Sequence, residues 1–148
     1  MDQLLKKISR NGFRIVLAVS VASFLVAFSY AWHFKIQPSV DARAYDQISW
    51  QIAQGRGYDQ DSSIGRPGPG YEYFLAGIYA VFGHHYAAVW IIQALLHAAT
   101  ALFVFLICRS IFAESGAIIG LIAAAIFGLH PDLIEISAML MTETLYLF

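Results

Sequence analysis

Two long stretches without a charged residue decide what this chain can fold into. Residues 15–32 and 86–108 are 18 and 23 residues long, and neither contains Asp, Glu, Lys or Arg. As α-helices they would be about 27 and about 35 Å long, close to the roughly 30 Å hydrocarbon core of a bilayer. We therefore predict an all-α fold, a polytopic bundle of transmembrane helices.

The composition supports this fold class and excludes some functions. Hydrophobic residues make up 59% of the chain and charged residues 13%, against roughly 45–50% and 25% in soluble domains. The formal net charge of -1 offers no basic surface, so nucleic acid is not an expected partner. The one cysteine, Cys108, excludes an intrachain disulfide and a cysteine-based metal cluster.

The residues that flank the first apolar stretch predict its orientation. Basic residues precede the stretch within residues 1–14, and aromatic residues such as Trp32 close it. Because positive charge favours the cytoplasmic side, we expect a cytoplasmic N-terminus and place residues 35–85 outside. The alternative is a cleaved signal peptide, although the apolar stretch is longer than the usual 7–15 residues of such peptides.

Residues 35–85 hold many of the charged residues and form the expected outer loop, with interfacial helices. The apolar residues Tyr45, Ile48 and Ile52 recur at helical spacing. This pattern predicts an amphipathic helix at the membrane surface, with Asp46 on its polar side. Ser39 or Asp41 is the expected cap at its start.

The apolar residues 71–82 are too few to cross a bilayer. A helix of that length spans about 18 Å, well short of the hydrocarbon core. We therefore expect a re-entrant or interfacial helix that returns to the outer face at His84 and His85. These two histidines lack a third ligand at a recognisable spacing, so a metal is not indicated and the cofactors stay unknown.

We expect one domain over residues 1–148 that holds the N-terminal part of a membrane bundle. Its predicted spans lie near residues 13–34, 86–108, 116–130 and 138–148, the last of them incomplete. In the third span, small residues recur every fourth position and form a stripe for close helix packing, at Gly116, Gly120, Ala124 and Gly128. Because the chain stops inside an apolar run, we expect it to be a fragment of a longer protein.

Three charged residues near the predicted outer face are candidates for chemistry. Asp41 is a helix cap, or a carboxylate that accepts a proton from a hydroxyl, or both. Arg66 lies in a Pro- and Gly-rich segment and can hold a phosphate through its planar guanidinium, or contact lipid headgroups. Glu143 lies among apolar residues, where a carboxylate is costly, so it is either functional or an interfacial group near water.

The order of these motifs resembles that in a known enzyme family. From Arg14 onward, the chain is similar to the N-terminal part of GT-C membrane glycosyltransferases, in particular to protein O-mannosyltransferases and lipid A aminoarabinose transferases. The motifs that carry the resemblance are Asp41-x-x-x-Tyr45-Asp46, Arg66-Pro-x-x-Gly70-Tyr71 and Thr142-Glu143-Thr144-Leu145.

The resemblance implies an inverting transfer of a sugar from a polyprenyl-phosphate donor to a lipid, glycan or protein acceptor. The reaction would take place at the outer face of the plasma (inner) membrane, among membrane lipids. Asp41 and Glu143 would be catalytic. Arg66, Tyr45 and Tyr71 would bind the substrate.

The chain departs from the family pattern at three positions, and these leave the subfamily, the sugar and the acceptor open. One of them is Arg66, where some relatives carry lysine. Ala42 follows Asp41 where many relatives have a second acidic residue, and Glu72 stands where many have proline. The competing hypothesis is a fragment of a polytopic transporter or scaffold, in which the charged loop is only an outer vestibule.

Overall fold

The computed structural model describes residues 2–57 and 69–148, and these residues form α-helices with no β-strand. A 3-10 turn, Ala113–Ser115, joins the fourth helix to the fifth. The predicted all-α fold class is confirmed. The helices are α1 (Asp2–Phe34), α2 (Asp41–Ala53), α3 (Pro69–Phe82), α4 (Tyr86–Ile111), α5 (Gly116–Leu129), α6 (Pro131–Ala138) and α7 (Glu143–Leu147).

Two helices of the described part are long and apolar enough to cross a membrane. They are Asn11–Phe34 within α1 and Tyr86–Ile111, which is α4. Helices α5 and α6 pass the same test only as a pair, bent by 52°. The bend falls at Pro131, because proline lacks a backbone N–H and disfavours helical backbone at the preceding His130. The described part of the protein is thus a helical membrane bundle with two candidate spans, or three if the bent pair is one span.

The stripe of small residues on α5 packs as the sequence predicts. Gly116, Gly120, Ala124 and Gly128 are all buried. A Cβ atom added at Gly120 would lie 2.9 Å from the carbonyl oxygen of Phe105 on α4. Helices α4 and α5 therefore approach each other at a distance that requires glycine at this position.

Replacing Gly120 by alanine is expected to lower the free energy of unfolding by about 1–3 kcal/mol, because backbone of α4 must move to admit the methyl group. Thermal unfolding in detergent measures the effect. Gly77→Ala is the matched control, since a Cβ there meets nothing within 4 Å. That variant should gain about 0.5–1 kcal/mol through helix propensity. Equal melting temperatures for the two variants would contradict the close packing.

Helix α2 is the amphipathic helix expected after the first span, with one correction. It is followed by Gly55 and Gly57 at φ 75° and 74°, a conformation that glycine adopts without strain. The sequence pattern put Asp46 on the polar side, and this was wrong, because Asp46 is only 7% exposed. Hydrogen bonds from outside the helix compensate its burial, and helical spacing alone carries no information about them.

The start of α2 also differs from the prediction. Neither Ser39 nor Asp41 caps the helix with its side chain, since Val40 occupies the N-cap position at φ 48° and no side-chain capping bond forms. The N–H of Ala42 donates instead to the carbonyl of Ser39 over 3.0 Å. Asp41 is the first helical residue, and the helix dipole stabilises its negative charge at this N-terminal end.

Helix α3 is short and belongs with α2 rather than with the long helices. It has 14 residues, about 21 Å of helix, and is not among the candidate spans. It packs mainly on α2, and Gly83, which has φ 75°, directly follows its last residue. That α3 lies at the membrane surface without crossing stays a prediction.

The segment 138–148, where a fourth span was expected to start, is not one continuous helix. Helix α6 ends at Ala138 and the backbone of Met139 is extended, with ψ 154°. Helix α7 begins only at Glu143. Residues 139–142 therefore form a connection that brings Glu143 to the start of a new helix.

Candidate active site

Three short helices meet at one place, which we call the junction. The start of α2, the start of α3 and the beginning of α7 contribute its polar residues: Asp41, Tyr45, Tyr71, Glu72 and Glu143. Two of these residues, Tyr45 and Tyr71, belong to an apolar cluster that the three helices share. In it, Tyr45, Met141 and Leu145 pack against buried Ala42, Tyr71, Leu75 and Leu140. The junction thus brings together four of the five residues that the sequence singled out.

The two tyrosines of the junction pack against each other. The ring of Tyr45 meets the ring of Tyr71 edge to face, with 5.2 Å between the centroids. Tyr45 is half-buried, whereas Tyr71 is only 2% exposed and its hydroxyl donates to Oε1 of Gln93. Tyr71 therefore supports the ring of Tyr45. The hydroxyl of Tyr71 is engaged with Gln93, so the tyrosine hydroxyl left for a ligand at the junction is that of Tyr45.

Three carboxyl groups lie close enough to Tyr45 to affect the pKa of its hydroxyl. Burial raises the pKa of its hydroxyl, and the carboxylates of Glu72, Asp41 and Glu143 raise it further, partly offset by a hydrogen bond with Thr142. Burial, followed by the charge of Glu143, likewise raises the pKa of Tyr71. Tyr45 consequently keeps its proton at neutral pH and can donate a hydrogen bond to a ligand.

The two carboxylates proposed for catalysis from the sequence are both exposed. Asp41 lies at the start of α2 and Glu143 at the start of α7. Oε2 of Glu143 accepts a hydrogen bond from the hydroxyl of Thr142 over 3.3 Å. Because both helices direct their N-terminal ends to the junction, their dipoles favour these negative charges there.

Gln93 on α4 connects the junction to the long helices, and the sequence analysis did not single it out. Its Nε2 donates to the carbonyls of Ser137 and Met139 over 2.8 and 2.7 Å. Its Oε1 accepts the hydroxyl of Tyr71. The amide thereby uses both donor hydrogens on the end of α6 and the connection that leads to α7.

Glu72 is the second residue that sequence reasoning passed over as a site residue. It is fully buried, and neither carboxylate oxygen has a hydrogen-bond partner among the described residues. Burial raises the pKa of its carboxyl group. An acidic residue inside the apolar residues 71–82 was the available signal, because such a group is costly unless it has a role.

The raised pKa of Glu72 predicts a pH-dependent stability. The folded protein binds this proton more tightly than the unfolded chain, so the contribution is full below the ordinary pKa of 4.5 and is lost as pH rises through the raised value. We expect Glu72→Gln, which cannot ionise, to melt above the parent protein at about pH 7 and to lose that advantage near pH 4.

Thermal unfolding in detergent at the two pH values measures this difference. Glu135→Gln serves as the control, because Glu135 is exposed on α6 and its replacement should change little at either pH. A stabilisation by Glu72→Gln that is the same at both pH values would contradict an ionisable buried carboxyl.

Arg66, the fifth candidate, lies outside the described residues. As for metals, no group of three or more His, Cys, Asp or Glu side chains within residues 2–57 and 69–148 is arranged to hold an ion. What the described junction offers is a protonated tyrosine hydroxyl, two exposed carboxylates and one buried carboxyl group, a set suited to hydrogen bonding with a polyhydroxylated ligand and to accepting a proton.

Comparison with known families bears on the same region. The family model described as dolichyl-phosphate-mannose-protein mannosyltransferase matches residues 66–147, more than half of the chain. The match begins at Arg66 and includes Tyr71 and Glu143, while Asp41 and Tyr45 lie before it. No curated protein matches, and no solved structure matches.

Proposed function

This chain belongs to the dolichyl-phosphate-mannose-protein mannosyltransferase family, and from that premise we propose that it transfers a sugar from a polyprenyl-phosphate donor to an acceptor hydroxyl. The observation that carries the proposal is the junction, where Glu143 of α7 lies near Asp41 and Tyr45 of α2. A site of this kind, at the ends of short helices beside the spans, is open to a ligand whose lipid tail stays in the bilayer.

Asp41 is the general base in this proposal. The acceptor hydroxyl gives its proton to the carboxylate as its oxygen attacks the anomeric carbon of the sugar. The bond from that carbon to the phosphate oxygen breaks, and its electron pair leaves with the lipid phosphate. One displacement of this kind inverts the configuration at the anomeric carbon. A positioned carboxylate contributes about 10²–10⁴-fold to such a step.

The other junction residues hold the substrates. Glu143 accepts hydrogen bonds from hydroxyls of the sugar or the acceptor, and so orients them toward Asp41. Tyr45 is protonated at neutral pH, as its ordinary pKa of 10.0 implies, and burial and the nearby carboxylates raise that pKa further. Its hydroxyl donates to the donor phosphate or the sugar. Tyr71 supports the ring of Tyr45 and closes the floor of the site.

Arg66 is proposed to bind the donor phosphate, on the strength of the family resemblance and of guanidinium chemistry. Negative charge develops on the phosphate as the anomeric bond breaks, and a fixed cation stabilises it. The three carboxyl groups of the junction would otherwise repel the phosphate, so the site requires a cation at this point.

We further propose that the junction faces the outside of the plasma membrane, with the N-terminus of α1 in the cytoplasm. The basic residues at the start of the chain support this orientation. The acceptor is a lipid, a glycan or a protein that reaches the membrane surface from that side.

The Asp41→Asn variant tests the base. Asparagine keeps the shape and cannot take the proton, so turnover of dolichyl-phosphate mannose in proteoliposomes should fall by about 10²–10⁴-fold, with little change in donor KM. Asp132→Asn is the control, because Asp132 is an exposed acid in the first turn of α6 and should retain parental turnover. Near-parental turnover of Asp41→Asn would exclude the base.

The Arg66→Ala variant tests the cation. Loss of a charged hydrogen-bond donor to phosphate typically costs about 1.5–3 kcal/mol, a weakening of donor binding by about 10- to 150-fold. Equilibrium binding of dolichyl-phosphate mannose to protein in nanodiscs measures it. Arg109→Ala is the control, since Arg109 lies in the last turn of α4, away from the junction. Equal donor affinity in the two variants would remove Arg66 from the site.

A further inference from the structure

A buried carboxylate on α2 joins that helix to three other segments. Oδ1 of Asp46 accepts the hydroxyl of Tyr79 on α3 over 2.6 Å and Nε2–H of His84 over 2.7 Å. Its Oδ2 accepts the hydroxyl of Tyr86, the first residue of α4, over 2.9 Å. We call Asp46, Trp50, Tyr79, His84 and Tyr86 the Asp46 cluster. Both carboxylate oxygens of Asp46 accept hydrogen bonds within this cluster, and Asp46 is only 7% exposed.

Aromatic contacts hold the histidine of this cluster in place. The indole of Trp50 stacks on the imidazole of His84, with 5.0 Å between centroids and 14° between planes. Tyr79 meets the other side of the imidazole edge-on, at 4.7 Å and 89°. His84 can therefore swing away from Asp46 only if these contacts break, and the geometry of the hydrogen bond is well defined.

The cluster lies on α2 at a place that controls how the helix faces the junction. In a helix with about 100° between residues, Asp41 and Tyr45 point about 40° apart, and Asp46 lies about 100–140° around from them. The backbone at the start of α2 is irregular, with Val40 at φ 48°, and Gly55 follows its end. The rotation of α2 about its own axis is thus set by contacts from its sides, and Asp46 makes three of the polar ones.

We propose that Asp46 and His84 are positioning residues for the sugar transfer, an inference that rests on the proposed function. Their hydrogen bond fixes the rotation of α2, and through it the direction in which Asp41 and Tyr45 face the substrates. Neither residue contacts the reacting atoms. A displacement of about 1 Å at a reacting group can cost about 10²-fold in rate, so loss of the pair slows turnover without abolishing it.

Steady-state turnover of dolichyl-phosphate mannose in proteoliposomes tests the pair. Asp46→Asn keeps the shape but exchanges one acceptor oxygen for an N–H donor, and His84→Gln removes the imidazole. Both variants should lower kcat by about 10- to 100-fold and change donor KM by less than about 3-fold. A KM that rises with kcat unchanged would overturn the proposal, because it would assign the pair to donor binding.

A matched pair of tyrosines on α3 supplies the control. Tyr79→Phe removes one hydroxyl from the cluster and should lower kcat, whereas Tyr73 on the same helix is 57% exposed and Tyr73→Phe should leave it unchanged. In an Asp46→Ala background, Tyr79→Phe should have no further effect, since no side-chain acceptor remains at position 46. Additive losses, or an equal loss in Tyr73→Phe, would overturn the proposal.

A structural measurement keeps the proposal separate from the proposed function. With Cys108→Ser, cysteines at positions 41 and 143 are joined by bifunctional maleimides of increasing length. With the shortest maleimide linker that joins the two cysteines in the parent protein, Asp46→Asn should change the cross-linking yield at least about 3-fold. The reason is that α2 rotates and moves position 41 relative to position 143. An unchanged yield and unchanged kcat per folded protein would overturn the positioning role. Absence of transfer in the parent protein would overturn the proposed function alone, and the cross-linking would still decide the role of Asp46.

Discussion

A broken helix beside a membrane span needs hydrogen-bond partners from the protein, and Gln93 supplies them. Where the protein itself excludes water, an unpaired backbone carbonyl is costly, so a break between helices needs hydrogen-bond donors from other segments. The carbonyls of Ser137 and Met139 lie at such a break and both accept from the amide of Gln93. The remaining oxygen of that amide accepts from Tyr71. The side chain of Gln93 on α4 thus hydrogen-bonds both to the backbone that leads to α7 and to Tyr71 of the junction.

This arrangement separates the support of the site from the site itself. The long helices α1 and α4, with α5 packed closely on them through glycine, form the rigid part of the bundle. The junction is built from the starts of α2, α3 and α7, which pack beside these long helices. The N-terminal ends of its helices favour the carboxylates that it collects.

Much of the fold followed from local patterns along the chain. The uncharged stretches predicted α1 and α4. The span predicted near residues 116–130 matches α5, which ends at Leu129 just ahead of Pro131 because proline interrupts a helix whatever surrounds it. The helical spacing around Ile48 predicted α2. The same spacing failed for Asp46, since a buried carboxylate is tolerated only through partners that lie far along the chain.

The sequence by itself determined the fold class, the long helices, the glycine stripe and the choice of Asp41, Tyr45, Tyr71 and Glu143. The fold class, the long helices and the stripe depend on residue type and on spacing within one segment, whereas the choice of Tyr45 and Tyr71 came from the resemblance of the motifs to a known family. Only the tertiary structure decided that those four residues meet, that Glu72 is buried beside them, and that Asp46 and Gln93 join separate helices. The reason is physical: the free energy of a buried polar group is set by the neighbours that satisfy it, and those neighbours come from segments 22 to 46 residues away.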